Sequence, residues 1–212
     1  MRYFSTDTLI QFLFVVPCVL IALTFHEFAH GYMAYKLGDP TAKNFGRLTL
    51  NPLRHVDIGG LLMMALFRFG WAKPVPVDMR YFKKPKQGMA LTALAGPVSN
   101  FVLALLALLC ARLVYHQYGA LWDFIFDLLL TTAYLSVGLG LFNLIPISPL
   151  DGSKVLFVFL PDSAYEKLMR YEKYGMIALL ILVWLGVGDN VLNTAIYNVY
   201  AAMINFVFRG IV

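Results

Sequence analysis

Near the end of its first apolar stretch the chain reads Phe25-His26-Glu27-Phe28-Ala29-His30. Residues four apart share one face of a helix, so both imidazoles can reach a single Zn²⁺. Glu27 stands beside them, where a carboxylate can take a proton from water that the ion activates. The competing reading, two interfacial histidines with a snorkelling glutamate, loses weight because ionisable groups inside a spanning helix are costly and default to function. Catalytic zinc sites take three protein ligands and keep one position open, so a third must come from another segment at the same depth. The segment in the right place is Asn143-Leu144-Ile145-Pro146-Ile147-Ser148-Pro149-Leu150-Asp151-Gly152. Its prolines break the helix and Gly152 permits a sharp turn, so Asp151 is offered as an oxygen ligand from irregular backbone. Standing alone, Asp151 reads as an ordinary interfacial aspartate; beside the histidine pair the ligand reading is favoured.

The elements that must hold these groups follow from composition. The 212 residues are 60% hydrophobic and 14% charged, with a formal net charge of +5. Soluble domains are about 25% charged, and a globule of this size buries only about 70% of the surface its chain exposes. A soluble globule is thereby disfavoured, a disordered chain is excluded, and an integral membrane protein in a lipid bilayer is expected. The basic residues lie in blocks between apolar runs, which indicates membrane topology and no nucleic-acid partner. Cys18 and Cys110 read as small buried hydrophobes. An apolar run follows Arg2 without a small-residue cleavage site, so no cleaved signal peptide is expected.

Charge-free stretches at 8–25, 87–111, 128–150, 174–188 and 190–208 predict about five transmembrane helices. The fourth is short and needs Lys173 to snorkel. Most Lys and Arg fall between the first and second stretches, after the third, and at Arg209, leaving Arg2 and Arg112 opposite. The positive-inside bias then sets the N-terminus outside and the C-terminus in the cytoplasm. If Lys36 marks the cytoplasmic interface, the histidine motif lies roughly 12 Å inside it.

In the first connection, Gly38 and Pro40 stop the first helix. Short apolar runs follow at 45–50 and 56–67, the second interrupted by Gly59 and Gly60. Lys73-Pro74-Val75-Pro76-Val77 must be extended, since each proline lacks a donor and biases its predecessor away from helix. Together these predict a small membrane-associated β-sheet with an edge strand. Downstream, Ser163-Ala164-Tyr165-Glu166 has the spacing of a capping box. It would open a short surface helix, with Leu168 and Met169 on its apolar side, that Gly175 could interrupt. The expected fold is an all-α polytopic membrane protein, about five transmembrane helices plus that sheet. It forms a single domain over 1–212, with a catalytic core at about 8–155 and C-terminal helices at about 156–212.

Several pieces taken together resemble a known family. They are the His26–His30 motif, Leu48-Thr49-Leu50-Asn51-Pro52-Leu53-Arg54-His55-Val56-Asp57, Gly70-Trp71-Ala72-Lys73-Pro74-Val75-Pro76-Val77, Ala95-Gly96-Pro97-Val98-Ser99-Asn100, and the 143–152 segment. In this order they resemble the site-2 protease family of intramembrane zinc metalloproteases, peptidase family M50, and in particular small prokaryotic members without a PDZ or CBS domain. The resemblance implies that His26, His30 and Asp151 bind one Zn²⁺ and that Glu27 is the catalytic acid/base. It also implies that the substrate is a transmembrane helix of another protein, cleaved within a prokaryotic plasma membrane. Ser148 stands where a proline is common, and by this resemblance the chain is expected to start at the second span of six-span archaeal members.

The expected chemistry is metal-assisted peptide hydrolysis. Asn143 could hydrogen-bond the developing oxyanion, or make an ordinary helix–helix contact. A helical substrate must unwind, and its freed backbone then needs partners where there is no water. An edge at Lys73, Pro74, Val75, Pro76 and Val77 could supply them by strand addition. His55 and Asp57 could gate the site or orient a ligand, or form a solvated or sheet-capping pair. Two further readings stand beside a peptidase: a membrane metal-ion carrier using the same three ligands, and an inactive helix-binding relative. A carrier usually shows inverted repeats, which this chain lacks, and the intact Glu27 weighs against an inactive relative.

Overall fold

A computed structural model describes residues 6–67 and 71–210, so Arg2 and Arg68 of the charge count and Gly70 of the family stretch lie outside it. The helices are α1 (Thr6–Lys36), α2 (Thr41–Asn44), α3 (Ile58–Phe67), α4 (Pro85–Val114), α5 (Ala120–Asn143), α6 (Asp151–Phe157), α7 (Asp162–Trp184) and α8 (Asp189–Val207). Single 3₁₀ turns occupy Pro52–Arg54 and Met79–Tyr81.

α1 ends where expected, and its cap can be read bond by bond. Gly38 takes φ 107°, the left-handed region that costs a glycine little. The Gly38 N–H then donates to Tyr35 O at 3.1 Å and the Asp39 N–H to Ala34 O at 2.9 Å, satisfying the last carbonyls of the helix. Asp39 is fully buried. One of its carboxylate oxygens accepts the Thr41 N–H at 2.9 Å and the other the Asp78 N–H at 2.7 Å, so both ends of the first connection are tied to the foot of α1.

α4 is the central post, touching α1, α5, α6 and α8. It can do so because its buried positions are small: Ala90, Ala93, Gly96, Ala104, Ala107 and Ala111. In lipid, where tails are as apolar as leucine, close backbone approach rather than hydrophobicity drives helix association. At the far end from the histidines, Ala104, Leu108, Ala133, Val137, Ile196 and Val207 form a dry core joining α4, α5 and α8. Cys18 is buried as expected, whereas Cys110 lies on the outer surface of α4.

The expected fold needs correction in three places. First, among the described residues there is no β-strand and no sheet, only an isolated bridge between Val56 and Ala72. The run taken for strands forms α3: Ile58-Gly59-Gly60-Leu61-Leu62-Met63-Met64-Ala65-Leu66-Phe67 lacks strand alternation and is rich in Leu, Met and Ala, which favour helix. The glycines read as interruptions serve contact instead, since a Cβ on Gly60 would lie 2.0 Å from Trp71 O.

Second, among the described residues three helices rather than five are long and apolar enough to cross a membrane: Leu13–Lys36, Pro85–Val114 and Ala120–Asn143. Ile177–Trp184 and Asp189–Val207 pass the test only as a pair bent by 85°, making a fourth if the pair is one span. Counting charges missed the uncharged polar load of α8, which carries Asn190, Asn193, Asn198 and Asn205. Third, no separate surface helix precedes the fourth stretch. α7 opens at Asp162 and runs through Gly175 unbroken, because a Cβ there would lie 2.4 Å from Ser148 O and only glycine lets α7 pass that turn. The side chains of Leu168 and Met169 lie outside the described ones.

Candidate metal centre

His26 and His30 project from α1 one turn apart, ring centroids 4.5 Å from each other and ring planes at 88°. Asp151 is the first residue of α6. The chain reaches it by leaving α5 at Asn143 and doubling back through Pro146 and Pro149. Gly152 sits so close to this turn that a Cβ would lie 2.2 Å from Leu144 O. That approach brings Asp151 Oδ2 to 3.1 Å from His26 Nε2 and 3.1 Å from His30 Nε2. All three side chains are buried.

The outer edges of both rings are fixed by α4. His26 Nδ1–H donates to Asn100 Oδ1 at 2.6 Å, and Asn100 Nδ2 in turn donates to Ala22 O at 3.1 Å. His30 Nδ1–H donates to Thr92 O at 2.7 Å. With acceptors on the Nδ1 side, both rings carry their proton there and turn the Nε2 lone pair inward. Two lone pairs and a carboxylate oxygen thus converge.

Three acceptors in such proximity call for a cation. One ligand atom from each residue lies within 4.8 Å of the others. The ligand atoms of a four-coordinate Zn²⁺ stand roughly 3.3 Å apart, so this donor set fits that ion in type and in spacing. Gly96 completes the cradle. A Cβ there would lie 2.4 Å from His30 Nε2 and 2.7 Å from His26 Cε1, so the helix can approach the rings only without one.

Glu27 is buried next to the cluster in sequence, and its Oε2 accepts the Val75 N–H at 2.8 Å. The 73–77 segment is extended as expected, though not as the edge of a sheet. Part of its hydrogen-bonding capacity is used: the Lys73 N–H donates to His55 O at 2.9 Å, and the Lys73 and Pro74 carbonyls accept from Arg47. Among the described residues, the carbonyls of Val75 and Pro76 and the N–H of Val77 have no partner.

The other candidates stand apart from the ligand set. Asn143 Nδ2 donates to Leu139 O, 3.0 Å away within its own helix. Asp57 caps α3, its Oδ1 accepting the Gly60 N–H at 2.8 Å. His55 is buried and donates from Nε2 to Thr49 O at 2.8 Å, with Nδ1 unpartnered. Neither bonds a residue of the cluster, and the gating and ligand-orienting roles draw no support from this arrangement.

Three residues that engage the cluster had no role assigned from sequence, Thr92, Gly96 and Asn100, and the Val75 amide, expected to serve a substrate edge, is given to Glu27 instead. The signal for the first three was present, since positions 92, 96 and 100 fall at i, i+4 and i+8 on one helix face. Between α1 and α5 lies a mostly apolar cavity of about 410 Å³, lined by Leu23 and Thr24 of α1, Leu139 and Phe142 of α5, and Trp71.

A family model described as "Peptidase family M50" matches residues 112–186. The chain is 40% identical over 184 residues to "Putative zinc metalloprotease YwhC" of Bacillus subtilis, covering 84% of each chain. It is 29% identical over 178 residues to "Putative zinc metalloprotease Rip2" of Mycolicibacterium smegmatis, covering 81% of this chain and 67% of that one. It is 26% identical over 138 residues to "Zinc metalloprotease MJ0392" of Methanocaldococcus jannaschii, covering 65% of this chain and 32% of that one. No solved structure matches significantly.

Proposed function

The chain belongs to peptidase family M50, and from that premise we propose that it is a zinc metallopeptidase cleaving transmembrane helices of other proteins inside the bilayer. In this reading His26, His30 and Asp151 hold one Zn²⁺ and Glu27 is the general acid and base. The observation that carries it is the convergence of His26 Nε2, His30 Nε2 and Asp151 Oδ2, with both Nδ1 protons committed outward. Bound Zn²⁺ supplies Lewis acidity toward water and toward the scissile carbonyl.

The chain's own groups do the rest. Glu27 Oε2 is engaged by Val75, leaving Oε1 as the oxygen that takes a proton from the attacking water and returns it to the leaving amine. A helical substrate has its carbonyls bonded internally, so it must unwind before hydrolysis. The apolar cavity between α1 and α5 can take the side chains of such a segment. The unpaired Val75 and Pro76 carbonyls and Val77 N–H can take its freed backbone. Asn143 keeps a second amide hydrogen beyond the one given to Leu139, available to a developing oxyanion. The basic connection after α1 faces the cytoplasm of a prokaryotic plasma membrane, with the N-terminus outside.

The test is a reconstitution in proteoliposomes with a single-span reporter, comparing wild type with Glu27→Gln. Zinc retained with product abolished is the expected result. Equal product from the two proteins would remove the peptidase mechanism.

A further inference from the structure

The least explained buried group is Arg47. The residue is only 8% exposed, yet among the described residues no carboxylate pairs with it. A buried guanidinium without a counter-ion is costly, so the contacts that hold it there should serve a purpose. Nη2 donates to the carbonyl oxygens of Lys73 and Pro74, the latter at 3.3 Å, while Nε has no partner.

Pro74 C=O and Val75 N–H are the two poles of one planar peptide unit, pointing in opposite directions. Arg47 grips the oxygen pole; Glu27 Oε2 accepts from the nitrogen pole at 2.8 Å. Flanking prolines make Val75 the only N–H donor between 74 and 76. Gly31, one residue past His30, lets the segment lie flat on α1, since a Cβ there would stand 3.2 Å from Val75 Cγ1. Charge on the carbonyl side also polarises the amide and strengthens its donation.

We propose that Arg47 is a positioning residue for Glu27, acting through the Pro74–Val75 peptide unit. It fixes the rotation of that unit, which pins Oε2 and keeps the Glu27 carboxylate turned toward the reacting water and out of the ligand set. This rests on the reading of Glu27 as the proton-transfer group.

The experiment uses the full chain in proteoliposomes with a quenched single-span fluorogenic peptide as probe. It compares wild type, Arg47→Ala, Arg47→Lys, Val75→Pro, the Arg47→Ala/Val75→Pro double variant and Glu27→Gln. Losing a positioning partner costs about 10–100-fold, so kcat should fall by that factor in Arg47→Ala and Val75→Pro with zinc content unchanged, and in Arg47→Ala with KM within about twofold. Arg47→Lys should recover part of the loss, because an ammonium can still reach one carbonyl. The double variant should be no worse than the worse single one, as for two parts of one relay. Amide hydrogen exchange at Val75 should quicken in Arg47→Ala while α1 and α4 stay protected. Unchanged kcat in Arg47→Ala, a change in KM alone, additive losses in the double variant, or unaltered exchange at Val75 would each overturn the proposal. Should Arg47→Ala fail to fold, Val75→Pro and Arg47→Lys decide it by the same measures. An active Glu27→Gln would instead sink the reading on which the proposal rests.

Discussion

At the residue scale the centre is a set of atoms whose hydrogen bonds leave only one use for their free lone pairs. Asn100 is the clearest case. It is fully buried, accepts from His26 and donates to Ala22 O. Replacing it by alanine removes the acceptor that fixes the His26 tautomer, and should weaken zinc binding about 10–100-fold. Competition with a chelator of known affinity measures this directly. Complete zinc removal should abolish cleavage and restored zinc recover it, because His26, His30 and Asp151 remain in place. Of these residues the sequence made the two histidines and Glu27 legible through spacing, and Asp151 through a helix break at the right depth. Asn100 and Thr92 were harder to see, since a buried asparagine and a backbone carbonyl carry no ligand signature of their own. The Val75 amide was hidden altogether, because a main-chain donor can be assigned only when the fold brings it to its acceptor.

At the scale of elements, glycines decide how closely segments meet. Gly152 is where α6 presses against the end of α5, leaving no room for a Cβ. Gly152→Ala must therefore shift the N-terminus of α6, and Asp151 with it. Overpacking of this kind costs about 1–3 kcal/mol. The expected outcome is a folded, thermally weakened protein with reduced zinc content although every ligand is present, read by metal analysis and thermal unfolding. The same kind of contact explains which elements were misjudged. Gly59 and Gly60 look like interruptions in an apolar run, yet Gly60 is the point where α3 meets the Trp71 backbone. Gly175 looks like a helix break, yet it lets α7 slide past Ser148. Alternation, not apolarity alone, would have separated α3 from a strand. The end of α1 was legible because a glycine followed by proline is a stop signal whatever the tertiary context.

At the scale of the whole molecule, three helices long and apolar enough to cross and a bent pair, among the described residues, replace the five spans that charge-free stretches suggest. The first 8 residues counted in the pair, Ile177–Trp184, meet Asp189–Val207 at 85°. If, as proposed, the first connection is cytoplasmic and the three helices cross, Arg209 shares a face with Lys86 when the bent pair returns and lies opposite when it crosses. We expect a return, by the positive-inside bias. Cysteines substituted at Lys86 and Arg209, each in a Cys18→Ala, Cys110→Ala background, should then react with a membrane-impermeant thiol reagent only in inside-out vesicles. Labelling of the Arg209 substitution from the opposite face would establish a crossing.

One consequence follows from α4. The helix that supplies Thr92, Gly96 and Asn100 to the ligands is also the one against which α1, α5, α6 and α8 are assembled. Occupancy by the cation and cohesion of the bundle are therefore linked equilibria. Free zinc at a hundred times its dissociation constant should add about 2.7 kcal/mol to unfolding. By reciprocity, any detergent or lipid that loosens the assembly should release metal, so the dissociation rate of the ion is itself a gauge of how tightly the helices hold together.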